Sequence, residues 1–421
     1  MSTWFMLLGV LVLFMRGQFV KIKGVSCFKG LCVFMIAYSF LASLVLLFAN
    51  NIYTEETPIR ACLGDIVLYF IALLSLFYNY YHLTYTISFD KLYKLFHWQI
   101  IILLIVGYLQ LGTLLGIGFI SSIYIFLSSF LSLVDYSWLM SVNRGVCFFG
   151  TEPASVITLC LFVIPFILSS IYHLKKWMRW QHVIYLILFS ILFLLSNSSS
   201  LLVAFVLVLT SFLIAILFRS IKKIVFWGVF FVGACLAFLY ASDSHIQLNT
   251  DNSHDWVYVL CGKALDKENM STAMRASTII NDIEIFYDYP FTGVGNGNQG
   301  FFYNQNVPNW VKASEEVQNI LSGNAGIANG GGNFFPAYLS AFGLIGIIFF
   351  LFFLQRYKKN YSQSFLQVSP IANWTFRLGL VLFLFASWTV MGVKQNETVL
   401  FILALPCVSY RMTENRNGIY V

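Results

Sequence analysis

Apolar runs of about 20 residues recur along nearly the whole chain, the length of helix that crosses a ~30 Å hydrocarbon core. They predict membrane spans at 2–15, 31–49, 61–80, 99–118, 154–172, 183–196, 200–218, 224–241, 334–354, 373–392 and 398–410. Two stretches interrupt the pattern. Residues 119–153 are too aromatic for a free loop, so they are expected to lie along the membrane surface or re-enter it. Residues 242–333 are the large polar stretch of the chain, acidic yet holding Trp256, Tyr258, Phe286, Phe301, Phe302, Tyr303 and Trp310. Long loops in compact proteins are functional or disordered, and this one carries enough aromatic surface to fold. The expected organisation is therefore 1–241 with eight spans, 242–333 as a folded cap over an active site, and 334–421 with three spans and a tail.

Within the cap, Ser271 can N-cap a helix running to about Tyr287. Ala273, Ala276, Ile280, Ile283 and Tyr287 recur at three- and four-residue spacing and give it one apolar face. Pro290 stops that helix, and the glycines of Thr292–Gly300 exclude regular structure there.

Composition agrees with the pattern. The chain is 59% hydrophobic and 10% charged, with a mean hydropathy of +0.78, whereas soluble domains carry about 25% charged residues. A cytosolic enzyme, a disordered protein and a disulfide-built secreted module are excluded. The fold class is an all-α polytopic membrane protein of about 11 helices, embedded in a lipid bilayer, with one large folded loop on one side.

The net charge of +7 reports orientation more than a partner. Eighteen of the 25 Lys and Arg residues fall in alternate connections; the other side holds only Arg60, Arg144, Lys263, Lys267, Arg275, Lys312 and Lys394. By the positive-inside rule the first side is cytoplasmic, so the cap faces outward and the C-terminus inward. No nucleic-acid partner is expected. The basic residues after the first apolar run follow it instead of preceding it, which reads as a span and not a signal peptide. The eight cysteines show no metal-ligand spacing. Cys147 and Cys261 both fall on the outer side, which leaves a disulfide or two inert thiols.

The candidate chemistry lies in the cap. Arg275 stands on the amphipathic helix that leads into Tyr289-Pro290-Phe291-Thr292-Gly293-Val294-Gly295. A second glycine cluster, Gly330-Gly331-Gly332, leads through Asn333-Phe334-Phe335-Pro336 into a span bearing Phe342-Gly343-Leu344-Ile345-Gly346. Arg144-Gly145 precedes Thr151-Glu152-Pro153, and Ser196-Asn197-Ser198-Ser199-Ser200 joins two spans. In this order the motifs resemble the superfamily of O-antigen ligases and Wzy-type O-antigen polymerases, over roughly residues 120–350. There is one departure. Ligases of that superfamily have a His before the Asn that ends the loop, and here Gly332 stands there, which leans toward a polymerase.

The resemblance implies glycosyl transfer from an undecaprenyl-pyrophosphate-linked oligosaccharide at the periplasmic face of the bacterial inner membrane. It implies no metal, nucleotide sugar or ATP at the site, and a Wzz-type chain-length regulator as partner. The leaving diphosphate needs fixed cations, and arginine pairs bidentately with phosphate oxygens. Arg275 and Arg144 are the candidates, against readings as a solvated helix charge paired with Asp282 and an interfacial anchor. Glu152, at a span entrance, is the candidate base for the acceptor hydroxyl, or a helix-start acid held by the macrodipole. Gly293, Gly295 and Gly297 are candidates to let backbone approach a phosphate or sugar, and Asn333 to contact substrate. The rival outside this class is a secondary transporter or flippase, which usually carries polar groups within its spans; the spans here are almost free of charge.

Overall fold

The computed structural model describes residues 26–49, 57–60, 62–64, 67, 74, 89–131, 133–142, 146–149, 156–195, 198–217, 270–312, 314–322, 333–361 and 369–389. The spans expected at 2–15, 224–241 and 398–410, and most of that at 61–80, lie outside them, as do residues 242–269 of the cap.

Among the described residues every regular element is helical. In chain order these are α1 (Ser26–Ala49), α2 (Phe89–Leu114), α3 (Gly118–Phe130), α4 (Tyr136–Val142), α5 (Val156–Cys160), α6 (Val163–His173), α7 (Lys176–Leu194) and α8 (Ser199–Leu217). Then follow α9 (Met270–Asp288), a 3-10 turn (Gln299–Phe302), α10 (Tyr303–Asn306), α11 (Glu315–Leu321), α12 (Phe334–Tyr361) and α13 (Pro370–Thr389). Among the described residues five segments are long and apolar enough to cross a membrane: Lys91–Leu114, Val156–His173, Lys176–Leu194, Phe334–Arg356 and Pro370–Ser387. The chain is a helical, multi-pass membrane protein. Helix α2 begins ten residues before the apolar run expected at 99, because Lys91 and Lys94 extend it with exposed polar heads.

The chain forms two compact units, interleaved along the sequence. One comprises Ser88–Asp266, Val368–Val390 and Arg416–Val421. In it α2 and α7 run parallel: Tyr93 meets His182 near their starts, and Tyr108 OH donates to Leu188 O further along, at 3.1 Å. Helices α6 and α13 run antiparallel, with Tyr172 stacked on Trp374 at 4.8 Å and Gly379 against Leu161 and Phe162. The starts of α2, α7 and α13 therefore meet the end of α6. That end carries Lys91, Lys94, Lys175, Lys176, Arg179 and Arg377, all the lysines and arginines among this unit's described residues. At the opposite end α2 turns tightly into α3 through Gly116, at φ 74. Buried Gln110 holds the segment that follows: its Nε2 donates to Phe148 O at 2.8 Å, and its Oε1 accepts from the amides of Cys147 and Phe148. The stretch expected to be interfacial thus contains two helices and a pinned loop; Cys147 is buried in it, and Cys261 lies outside the described residues.

The other unit comprises Met1–Ile87, Lys267–Gln367 and Met391–Asn415. Helix α1 packs on α12 through Phe34 and Phe349, stacked at 3.9 Å. Helix α9 packs against α12 on one side and the small cap helices on the other, where Ala273, Tyr303, Val307, Val311, Val317 and Ile320 form a core. The amphipathic helix predicted over 271–287 is therefore observed. Ser271 lies within it and not at its N-cap, since the helix already includes Met270.

Candidate functional site: a glycine strap inserted into a broken helix

Helix α12 is broken at Gly343, whose φ of 56° and ψ of −153° are open essentially to glycine alone. In an unbroken helix Leu344 N–H would donate to Ser340 O, and Ile345 N–H to Ala341 O. All four groups are instead satisfied by the strap that follows α9. Leu344 N donates to Pro290 O at 2.8 Å and Ile345 N to Phe291 O at 3.2 Å; Ser340 O accepts from Val294 N at 2.9 Å and Ala341 O from Gly295 N at 2.8 Å. This complete pairing matters in an apolar span, where an orphaned backbone group costs several kcal/mol.

The glycines make the approach possible. A Cβ on Gly293 would stand 2.5 Å from Ser340 O, and one on Gly343 would stand 2.6 Å from Phe291 O. Helix α1 completes the seat: Tyr38 OH donates to Thr292 O at 2.7 Å, Ser39 Oγ accepts from Asn296 N at 3.1 Å, and Asn298 Nδ2 donates to Ser43 Oγ at 2.8 Å. The remaining amides of the run are also engaged, Gly293 with Tyr289 O, Gly297 with Gln299 Oε1 and Asn298 with Gly295 O. The close approach of Gly293 and Gly295 is therefore to α12 itself, and no amide from Gly293 to Asn298 is left over for a phosphate.

Above the strap, α9 and α12 are joined by polar contacts. Asp282 is fully buried, and Ser340 Oγ donates to its Oδ1 at 2.8 Å. Asn281 Nδ2 donates to Gln299 O at 3.1 Å, and Gln299 Nε2 to Ala337 O at 3.2 Å, so the 3-10 turn bridges the two helices. On the other face of α9, Ser277 Oγ and Tyr303 OH are 2.5 Å apart. Burial raises the Tyr303 hydroxyl above its ordinary pKa, against a smaller lowering by that hydrogen bond.

Arg275 is half-buried on α9, seven residues before Asp282. Asn333 stands seven residues before Ser340, just ahead of α12; it is 5% exposed, and its Nδ2 is buried with no hydrogen-bond partner. Helices α9 and α12 run the same way here, since Asp282 meets Ser340 and the later Pro290 meets the later Leu344. Arg275 and Asn333 therefore both precede that contact along the parallel course of the chain, Arg275 by about two turns of α9. Arg144, Glu152 and Gly332 lie outside the described residues. The strap's insertion and the Asp282–Ser340 contact were not expected from sequence, although Pro290, Gly293 and Gly295 each marked an irregular backbone.

In this unit a glycine strap closes a broken helix, and an orphaned amide stands just ahead of that helix. Residues 184–351 match a family model described as O-antigen ligase. The match supports the resemblance of this segment to the superfamily of O-antigen ligases and Wzy-type O-antigen polymerases. No curated protein and no solved structure matches the chain.

Proposed function

We propose that the protein is an O-antigen polymerase of the bacterial inner membrane, joining undecaprenyl-pyrophosphate-linked repeat units at the periplasmic face. The observation that carries the reading is the buried, unpartnered Asn333 Nδ2 just ahead of α12, the helix that the Asp282–Ser340 contact joins to the helix bearing Arg275. A cationic fork and an amide donor on adjacent helices suit a diphosphate, whose charge grows as the sugar leaves. The acceptor hydroxyl attacks the anomeric carbon of the donor glycan and gives its proton to a base, for which Glu152 is the candidate. The bond to the pyrophosphate oxygen breaks, and undecaprenyl pyrophosphate departs with its charge held by Arg275; Arg144 stays the sequence's candidate for a second cation. Gly293, Gly295 and Gly297 act by shape, keeping α9 and α12 in register. The reaction is proposed to need no metal, and a chain-length regulator is the expected protein partner.

Transfer to lipid A-core is the second reading, favoured by the ligase description of the matching family model. Against it stands Gly332, where ligases carry His. A deletion strain separates the two on a lipopolysaccharide gel. Loss of a polymerase leaves core plus one repeat unit; loss of a ligase leaves bare core and accumulates lipid-linked polymer.

A further inference from the structure

Residues 119–153 have two courses open to them from sequence, along the membrane surface or back into it. The chain between Lys94 and Asp135 holds no Asp, Glu, Lys or Arg, so nothing in it needs water. From Lys94 to Leu114, α2 rises about 30 Å, the thickness of a hydrocarbon core. The turn at Gly116 therefore stands at the face remote from the basic end. From there α3 doubles back along α2. A Cβ on Gly112 would stand 2.7 Å from the Ile120 side chain, and Gln110 Nε2 donates to Tyr124 OH at 3.3 Å. Val106 and Leu127, further down the two helices, share one apolar cluster with Tyr124. Helix α3 has 13 residues, so an antiparallel course of about 20 Å ends it inside the core.

The chain also comes back. Helix α7 follows α6 directly and is parallel to α2, and Phe166 of α6 meets both Phe96 and His182. The segment Val156–His173 thus runs opposite to α2 and begins at the face where α2 ends. Val134 is already level with the Tyr124 hydroxyl, which donates to its carbonyl at 2.6 Å.

The side chains fit hydrocarbon. Phe119, Phe126 and Phe130 are 77%, 63% and 72% exposed. The serines among them turn back on their own helix: Ser121 Oγ donates to Ile117 O, Ser122 to Gly118 O, Ser128 to Ile125 O and Ser129 to Phe126 O. Beneath the helix, buried Tyr124 serves the backbone of Val134, and buried Gln110 that of Cys147 and Phe148. Irregular backbone at membrane depth needs such partners, because no water supplies them.

We propose that α3 is a re-entrant half-span, its exposed face covered by the acyl chains of the leaflet remote from the basic end. It enters and leaves by one face, so it does not reverse the direction of the spans that follow. This placement is independent of the proposed reaction.

The test uses full-length protein in phosphatidylcholine nanodiscs, with trifluoromethylphenylalanine placed in turn at Phe119, Phe126 and Phe130, a change that keeps each ring. Fluorine resonances are read with dissolved oxygen, which concentrates toward the bilayer centre, and with a water-soluble nickel chelate, which stays outside. Phe119 and Phe130 differ by about 16 Å along the helix. Oxygen broadening should therefore rise, and chelate broadening fall, from Phe119 through Phe126 to Phe130. Equal oxygen effects at all three would overturn the proposal and lay α3 in the plane of the headgroups. Chelate broadening as strong at Phe130 as at Phe119 would overturn it too, placing the helix in water. So would protection of all three from both reagents, which would assign the face to a second copy of the chain.

Discussion

Replacing Gly343 with Ala tests the insertion at its tightest point. The new methyl would stand 2.6 Å from Phe291 O and 2.8 Å from Pro290 O, and both are backbone atoms that cannot rotate aside. Holding alanine at φ 56°, ψ −153° costs about 1–3 kcal/mol. Relief comes by straightening α12, which restores its own Leu344–Ser340 and Ile345–Ala341 hydrogen bonds but expels the strap. The strap then loses its partners for Val294 N, Gly295 N, Pro290 O and Phe291 O, each costing about 1–3 kcal/mol wherever water does not replace the helix. A net loss on the order of 3 kcal/mol follows, and the melting temperature in detergent should fall by roughly 5 °C. Polymerisation should fail as well, because α9 and α12 lose their common register. Gly30→Ala is the control: its added Cβ meets nothing within 4 Å, and in a helix that change gains about 0.5–1 kcal/mol. Melting and polymer ladders like wild type in Gly343→Ala would refute the account of the break.

Three further outcomes follow from the proposed chemistry. Arg275→Lys should fail nearly as badly as Arg275→Ala, each losing about 100–1000-fold in polymerisation rate, since a point charge cannot reproduce bidentate contact with a diphosphate; full tolerance of Lys on a gel at matched abundance would make it a solvated helix charge. Purified enzyme supplied with lipid-linked repeat units should keep polymerising in excess chelator, and activity restored by one divalent cation would reveal a metal site in the acidic loop. A reporter active only in the periplasm should work when fused after Asp266 and stay silent after Lys222, and the reverse pattern would invert the site's placement.

Helices were legible in the sequence wherever apolar length alone decided them. The runs around 183–196 and 334–354 reappear as the spanning helices α7 and α12, and that around 31–49 as helix α1, because a span needs little beyond about 20 apolar residues. Boundaries were less legible: α2 starts among Asp90, Lys91 and Lys94, since a helix continues past the apolar layer whenever its charged heads reach water. The run at 154–172 returns as one membrane-crossing segment, Val156–His173, but two turn residues inside it separate α5 from α6. Hydropathy is blind to such breaks, because the side chains stay apolar while only the backbone changes course.

The same blindness hid the strap. Gly343 looked like one glycine among several in an apolar helix, and Pro290-Phe291-Thr292-Gly293-Val294-Gly295 looked like a loop free to meet a ligand. Each was an unexplained irregularity by itself. Together they are complementary, because a broken helix exposes two donors and two acceptors, and an extended strap supplies two acceptors and two donors in return. That complementarity is a property of the pair, so no local pattern in either segment displays it. It also explains why the span is broken at all. A straight α12 would satisfy its own backbone and leave the cap to float; the broken one is paired fully only when the end of α9 is seated, so α9 and its Arg275 are fixed against the helix that Asn333 leads into. In the proposed reaction, precision at the diphosphate would come from these backbone hydrogen bonds, and Arg275 and Asn333 would need only to reach the substrate.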